Sequence, residues 1–188
     1  MKAVETSRTA HERSTAIRFL DGVDRLIGFV CKSVVLSTGV ALLLAIIIGV
    51  IARYLIRVGG IDWAEELPKQ LFSWFIMAGV VLALQYGNHI AVELIFNFLP
   101  AAGRRVLIVL TNLLLCGAYL YLCVVAADVA KIASAEINPM LGTPNSIPFY
   151  ALTCGSLLTA ASALSIAIRV FLLGDEARPR GAAEESVV

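Results

Sequence analysis

Apolar residues gather along this chain into four long runs separated by short polar stretches, and they do not alternate with polar ones as in half-buried strands. The first run, Ser33 to Ala52, carries no charge and stops at Arg53. A bilayer core about 30 Å thick is crossed by about 20 apolar residues of helix, which this run supplies. The second, Leu71 to Tyr86, falls short of that length, so its helix must begin near residue 67 or before. Asp62-Trp63-Ala64-Glu65 reads as a capping box with Asp62 as N-cap and Glu65 reaching back, and Pro68 predicts a bend or distorted first turn. The third run, Val106 to Ala127, is followed by Asp128 and Lys131. The fourth, Ile147 to Leu173, follows the turn signals Asn138-Pro139 and Gly142-Thr143-Pro144-Asn145. The predicted fold is an all-α integral membrane protein with four spans, over about 33–52, 67–86, 106–127 and 147–173.

Two further segments have the pattern of short interfacial amphipathic helices. Thr15 to Phe29 sets Ile17, Leu20, Val23 and Ile27 near one face, with Arg18, Asp21, Asp24 and Arg25 elsewhere. That pattern suits a helix lying on the membrane surface before the first span turns inward. In Asn88 to Leu99, His89, Glu93 and Asn97 recur every four residues amid Ile90, Leu94, Phe96 and Phe98, and Pro100 and Gly103 end the segment. Residues 1–32 are thus expected to be a tail plus an amphipathic helix, residues 33–173 the membrane domain, and 174–188 a short polar tail.

Composition narrows the class further. The 188 residues are 59% hydrophobic and 15% charged, against roughly 45–50% and about 25% in a soluble domain. A free soluble domain and a disordered chain are both excluded. With Lys+Arg 15 against Asp+Glu 14 and a net charge of +1, there is no basic field for nucleic acid. The positions of the cations say more than their sum. Lys2, Arg8, Arg13, Arg18, Arg25, Lys32, Arg104, Arg105, Arg169, Arg178 and Arg180 fall on one side of the predicted topology, and Arg53, Arg57, Lys69 and Lys131 on the other. The positive-inside rule then places both termini of this multi-pass membrane protein in the cytoplasm. Met1–Asp24 has no apolar core of a cleavable signal, and Cys31, Cys116, Cys123 and Cys154 lie in or beside apolar stretches, as packing residues do.

The candidates for chemistry are few. An ionisable residue inside a membrane span marks a functional site by default, but the middles of the four spans contain none. Asp128, Lys131 and Glu136 come closest, either as a wetted helix end or as a substrate or ion site. Glu65 and Glu66, beside Trp63, are the densest acidic feature. Helix-terminus electrostatics account for Glu65, whereas Glu66 points about 100° away and suits a cation on another protein equally well. His89 is one of two histidines, the other being His11; axial haem ligation needs more. No nucleophile elbow, phosphate loop or metal-ligand pattern is present, so no catalytic, substrate-binding or metal residues are expected. The helices offer packing surface in its place. Ala41, Ala45 and Gly49 form one row of small residues, and Gly155, Thr159, Ala163 and Ala167 another, beside Ser156 and Ala160. Such rows let helix backbones approach closely in lipid, within the bundle or against a partner.

Arg53-Tyr54, Trp63-Ala64-Glu65-Glu66, Gly87-Asn88-His89-Ile90-Ala91-Val92-Glu93, Leu99-Pro100 and Arg104 come in a familiar order and spacing. With Leu141-Gly142-Thr143-Pro144 leading to Tyr150, the chain resembles the small membrane (Q) subunit of TRAP transporters, the tripartite ATP-independent periplasmic systems. The resemblance implies a non-catalytic scaffold without a cofactor of its own. It implies pairing with a larger permease subunit that binds substrate and sodium, a periplasmic binding protein that delivers an organic acid, and membrane lipids around the assembly. Trp63, Glu65 and Glu66 would then contact a partner on the periplasmic side, and His89 and Glu93 at the cytoplasmic interface. The chain departs from the family pattern in having Gln85 and Tyr86 where an Arg often precedes Gly-x-His-Ile, and Glu93 where Asp is commoner. The rival reading is a stand-alone four-helix, proton-coupled exporter working as a homodimer. Such a protein needs a membrane-embedded acid, and mid-span acids are missing.

Overall fold

The computed structural model describes residues 2–55, 63–86 and 101–173. They form four helices: α1, Lys2–Leu55; α2, Trp63–Gln85; α3, Ala101–Ala133; and α4, Ile147–Leu173. All four contain a stretch long and apolar enough to cross a membrane, the candidate spans being Leu20–Tyr54, Glu66–Gln85, Gly103–Ala133 and Ile147–Phe171. No strand is found among the described residues, and the chain is an all-α integral membrane protein. The Asp62 cap, His89, Glu93, the Asn88–Leu99 segment and the tail after Leu173 lie outside the described residues.

The N-terminal amphipathic segment is not a separate surface helix. Residues 15–29 continue into the first span as one helix of 54 residues. The sequence supplies no proline or turn signal between them, and a helix without a breaker propagates at one hydrogen bond per added residue. Pro68 is held inside α2, where its ring forgoes the hydrogen bond to the carbonyl four residues earlier.

The packing order differs from the chain order. α1 packs on α2, α2 on α4 and α4 on α3, with a lighter contact between α1 and α4. The last helix is the hub: 56% of its most apolar stretch is buried, against 11% for α1 and for α3. Its small residues are the cause. Gly155, Ser156, Thr159, Ala160, Ser162, Ala163 and Ala167 are buried. A Cβ on Gly155 would come 2.5 Å from the Cβ of Met77 on α2, so only glycine permits that approach. The hydroxyls do not carry unmet polarity into the apolar interior. Ser156 donates to the Leu152 carbonyl at 2.6 Å and Thr159 to the Gly155 carbonyl at 2.8 Å. Leu84, Ile108, Cys116, Ala160, Ala163, Ile166 and Val170 join α2, α3 and α4 in one core, and Ile27, Cys31, Ala78 and Val81 join α1 to α2 in another.

A short hairpin-like turn links α3 to α4. Asn138 accepts the N–H groups of Met140 and Leu141 on its side-chain oxygen, at 2.9 and 3.3 Å, and its own N–H donates to the Thr143 carbonyl at 2.9 Å. Gly142 closes the turn at φ 64°, a left-handed conformation that costs other residues about 1–2 kcal/mol.

Candidate functional sites at the two ends of the bundle

Polar side chains that bridge helices cluster at opposite ends of this bundle. At the end nearer the α3–α4 turn, Glu66 on α2 is the focus. Its Oε1 accepts from Lys69 Nζ at 2.5 Å and its Oε2 from Asn138 Nδ2 at 3.2 Å. One turn along, Gln70 exchanges hydrogen bonds with the Thr143 hydroxyl at 3.0 and 3.3 Å. The helix start is thereby fastened to the turn before α4, and the turn's glycine and asparagine signals acquire their purpose. Glu136 and Asn145, 3.5 Å apart, line the same cleft of about 420 Å³ with Glu66, Lys69 and Phe149. Of the sequence candidates here, Glu66 is half-buried and used within the chain. The side chains of Trp63 and Glu65 lie outside what the structure describes. Asp128 and Lys131 pair at 3.0 Å on the exposed side of α3, a surface ion pair worth at most about 1 kcal/mol.

The other end holds a site that pattern reading passes over. Arg169, near the end of α4, places Nη1 2.8 Å from Asp21 Oδ1 and Nη2 2.6 Å from Asp24 Oδ2. Ser165, one turn earlier, donates to the same Asp24 oxygen at 2.7 Å. Gln85 at the end of α2 donates to the Asp24 carbonyl at 3.2 Å and to the Ser162 hydroxyl at 3.3 Å. Its Oε1 occupies the space that a Cβ on Gly28 would enter, at 2.9 Å. Three helices are thus tied by one ionic and amide network. The Arg169 and Asp24 side chains retain 19% and 20% of their exposure, so the pair is largely withdrawn from water. Arg105 on α3 adds a further tie, donating to the Phe171 carbonyl with its guanidinium 5.7 Å from the Phe171 ring.

The signal for this second site is present in the sequence. Asp24 shares its helical face with Ile27 and Cys31, both buried against α2, so a carboxylate sits on a packing stripe. Arg169 continues the buried row Ser162–Ile166 in the same manner. A charge in register with a buried stripe requires a partner on another helix.

The small-residue candidates differ in burial. Ala45 is buried, and Ala41 and Gly49 half-buried, on α1; Gly155, Thr159 and Ala163 are buried inside the bundle. Among the described residues, no group of three or more His, Cys, Asp or Glu is placed to hold a metal ion.

Residues 42–173 match the profile of the family described as tripartite ATP-independent periplasmic transporters, DctQ component. The chain is 38% identical over 173 residues to the uncharacterized protein y4mM of Sinorhizobium fredii, covering 92% of this chain and 32% of that protein. It is 27% identical over 120 residues to a putative TRAP transporter small permease protein of Haemophilus influenzae, covering 62% of this chain and 71% of that one. It is 26% identical over 168 residues to the ectoine TRAP transporter small permease protein TeaB of Halomonas elongata, with 88% and 86% covered. The chain spans about a third of the length of y4mM.

Proposed function

The chain belongs to the DctQ component family of the tripartite ATP-independent periplasmic transporters, and from that premise we propose that it is the static scaffold of a sodium-coupled organic-acid importer. Membership makes it a multi-pass protein of the bacterial inner membrane and a transporter component, not an enzyme. In the proposed assembly a larger permease subunit binds substrate and sodium, and a periplasmic protein delivers the substrate. The small subunit braces the permease laterally and helps to dock the delivery protein. Both termini are cytoplasmic, which puts the Asp24–Arg169 network inside and the Glu66–Asn138 cleft outside.

One observation carries the scaffold role. Interhelical polar groups are spent on ties within the chain at both ends, while the flanking helices keep long apolar faces. On α1 these include Leu43, Leu44, Ile47 and Ile51, and on α3 Leu113, Leu114, Tyr121 and Val124. A chain with its polar ends fastened and its lateral faces apolar suits packing beside another membrane subunit. The length of y4mM supports this reading, because two thirds of that polypeptide lies beyond the part this chain matches.

Co-reconstitution tests the proposal. The full chain in liposomes with its permease partner, binding protein and a sodium gradient is expected to support uptake, and neither membrane subunit alone is expected to do so. Proton-driven transport by this chain alone would establish the homodimeric exporter in its place.

A further inference from the structure

The inner network borders a cavity of about 540 Å³ whose wall is built by three helices. α1 contributes Arg25, Gly28, Phe29 and Lys32, the end of α2 Gln85 with the adjoining Tyr86, and α4 Ser162, Ile166 and Arg169. Among the described residues Asp24 is the one carboxylate in the wall, and its Oδ2 is occupied by Arg169 and Ser165. Arg169 is in turn engaged by Asp21 and Asp24. The positive charge left over is that of Arg25 and Lys32, which form no ion pair with any described residue. Lys32 lies instead 5.3 Å from the centre of the Tyr86 ring. Arg25 and Lys32 are seven residues apart, so they share one helical face and stand about 10 Å apart along the axis.

We propose that this cavity binds a phosphate group, and that the phosphate is the headgroup of an anionic phospholipid. The cations supply two charge-assisted donors, of the kind that hold phosphate oxygens. The choice of a lipid over a soluble phosphate rests on what continues from the cavity. Phe29 in its wall, then Leu36 and Leu43, recur at seven-residue steps along the same side of α1, and all three are exposed. An acyl chain can lie along that stripe while its headgroup rests on Arg25 and Lys32. Basic pockets between membrane helices hold headgroups by this combination of charge and apolar track. The inference goes beyond the transport reading and does not depend on it.

The test uses the full chain in nanodiscs of phosphatidylcholine doped with phosphatidylglycerol, with retained lipid counted by native mass spectrometry. Wild type is expected to retain phosphatidylglycerol in preference to phosphatidylcholine. The double variant Arg25→Gln/Lys32→Gln is expected to lose about thirtyfold in affinity, from about 1 kcal/mol per cation near the surface. Both side chains are exposed, so the fold should survive, and an unchanged unfolding temperature checks that. Lys131→Gln, at the opposite end of the bundle, should leave retention unchanged. Equal loss in the Lys131→Gln control, or equal retention in the double variant, overturns the site. Displacement of the lipid by millimolar inorganic phosphate overturns the lipid assignment and identifies a soluble anion as the occupant.

Discussion

Replacing Arg169 by Met should strip Asp24 of its counter-charge while preserving the bulk of the side chain. Asp24 then retains the Ser165 hydroxyl alone, at 2.7 Å, on a side chain about four-fifths withdrawn from solvent. Removing one partner of a buried pair costs about 3–5 kcal/mol. The loss of the Asp21 contact adds little, because Asp21 is half exposed and surface pairs contribute about 0–1 kcal/mol. The expected loss is therefore about 3–5 kcal/mol, or a fall in Tm of roughly 6–20 °C for a chain of this size. A thiol-reactive dye provides the assay, since Cys31 and Cys116 are buried and become reactive only on unfolding; the half-buried Cys123 and the exposed Cys154 are first replaced by Ala. The double variant Asp24→Leu/Arg169→Met leaves no unpaired charge and should recover to within about 1 kcal/mol of the parent. A single variant as stable as the parent, or a double variant no better than the single, would refute the view that this pair joins α1 to α4.

Three further outcomes are expected. Gly155→Ala sets two Cβ atoms 2.5 Å apart at the α2–α4 contact, and because the obstructing Cβ of Met77 is fixed to its backbone the cost should be about 1–3 kcal/mol, read as a lower Tm; an unchanged Tm would show that the two helices part without loss. Asn138→Ala removes both the turn's side-chain acceptor and its tie to Glu66, so it should destabilise by about 1–2 kcal/mol and increase proteolytic cleavage between α3 and α4, whereas Lys131→Ala, which breaks a surface pair, should do neither. An alkaline phosphatase fusion at Arg57 should be active and one after Arg178 inactive, the reverse pattern being the result that would invert the proposed orientation.

The limits of pattern reading follow from what each residue's signal depends on. The four spans were legible because a membrane helix needs only a local property, an apolar length without charge, and Ser33–Ala52 and Ile147–Ile168 have it. The α3–α4 turn was legible for the same reason, since Asn138 and Gly142 act on their immediate neighbours. The helical continuity of α1 was not, because an amphipathic stretch carries the same periodicity whether it lies on a surface or continues into a span. The Asp24–Arg169 pair joins residues 145 positions apart. Counting each charge by its side of the membrane made Arg169 a topology signal and Asp24 part of a solvated face.

Register resolves the two roles where counting does not. A charge that only marks topology can point anywhere around its helix, because water or headgroups meet it at the membrane boundary. Asp24 has no such freedom: it is in phase with Ile27 and Cys31, which are buried against α2. Arg169 is likewise in phase with Ser162 and Ile166 on the most buried helix of the bundle. Two opposite charges, each on the packing stripe of its own helix and each near the same end, have only one another to meet. Arg25 and Lys32 lie off that stripe, exposed on the neighbouring face, which leaves them available to a ligand while Arg169 is held in the fold. The same end of the bundle therefore holds two kinds of cation, one that fastens helices and one that faces outward, and helical phase separates them.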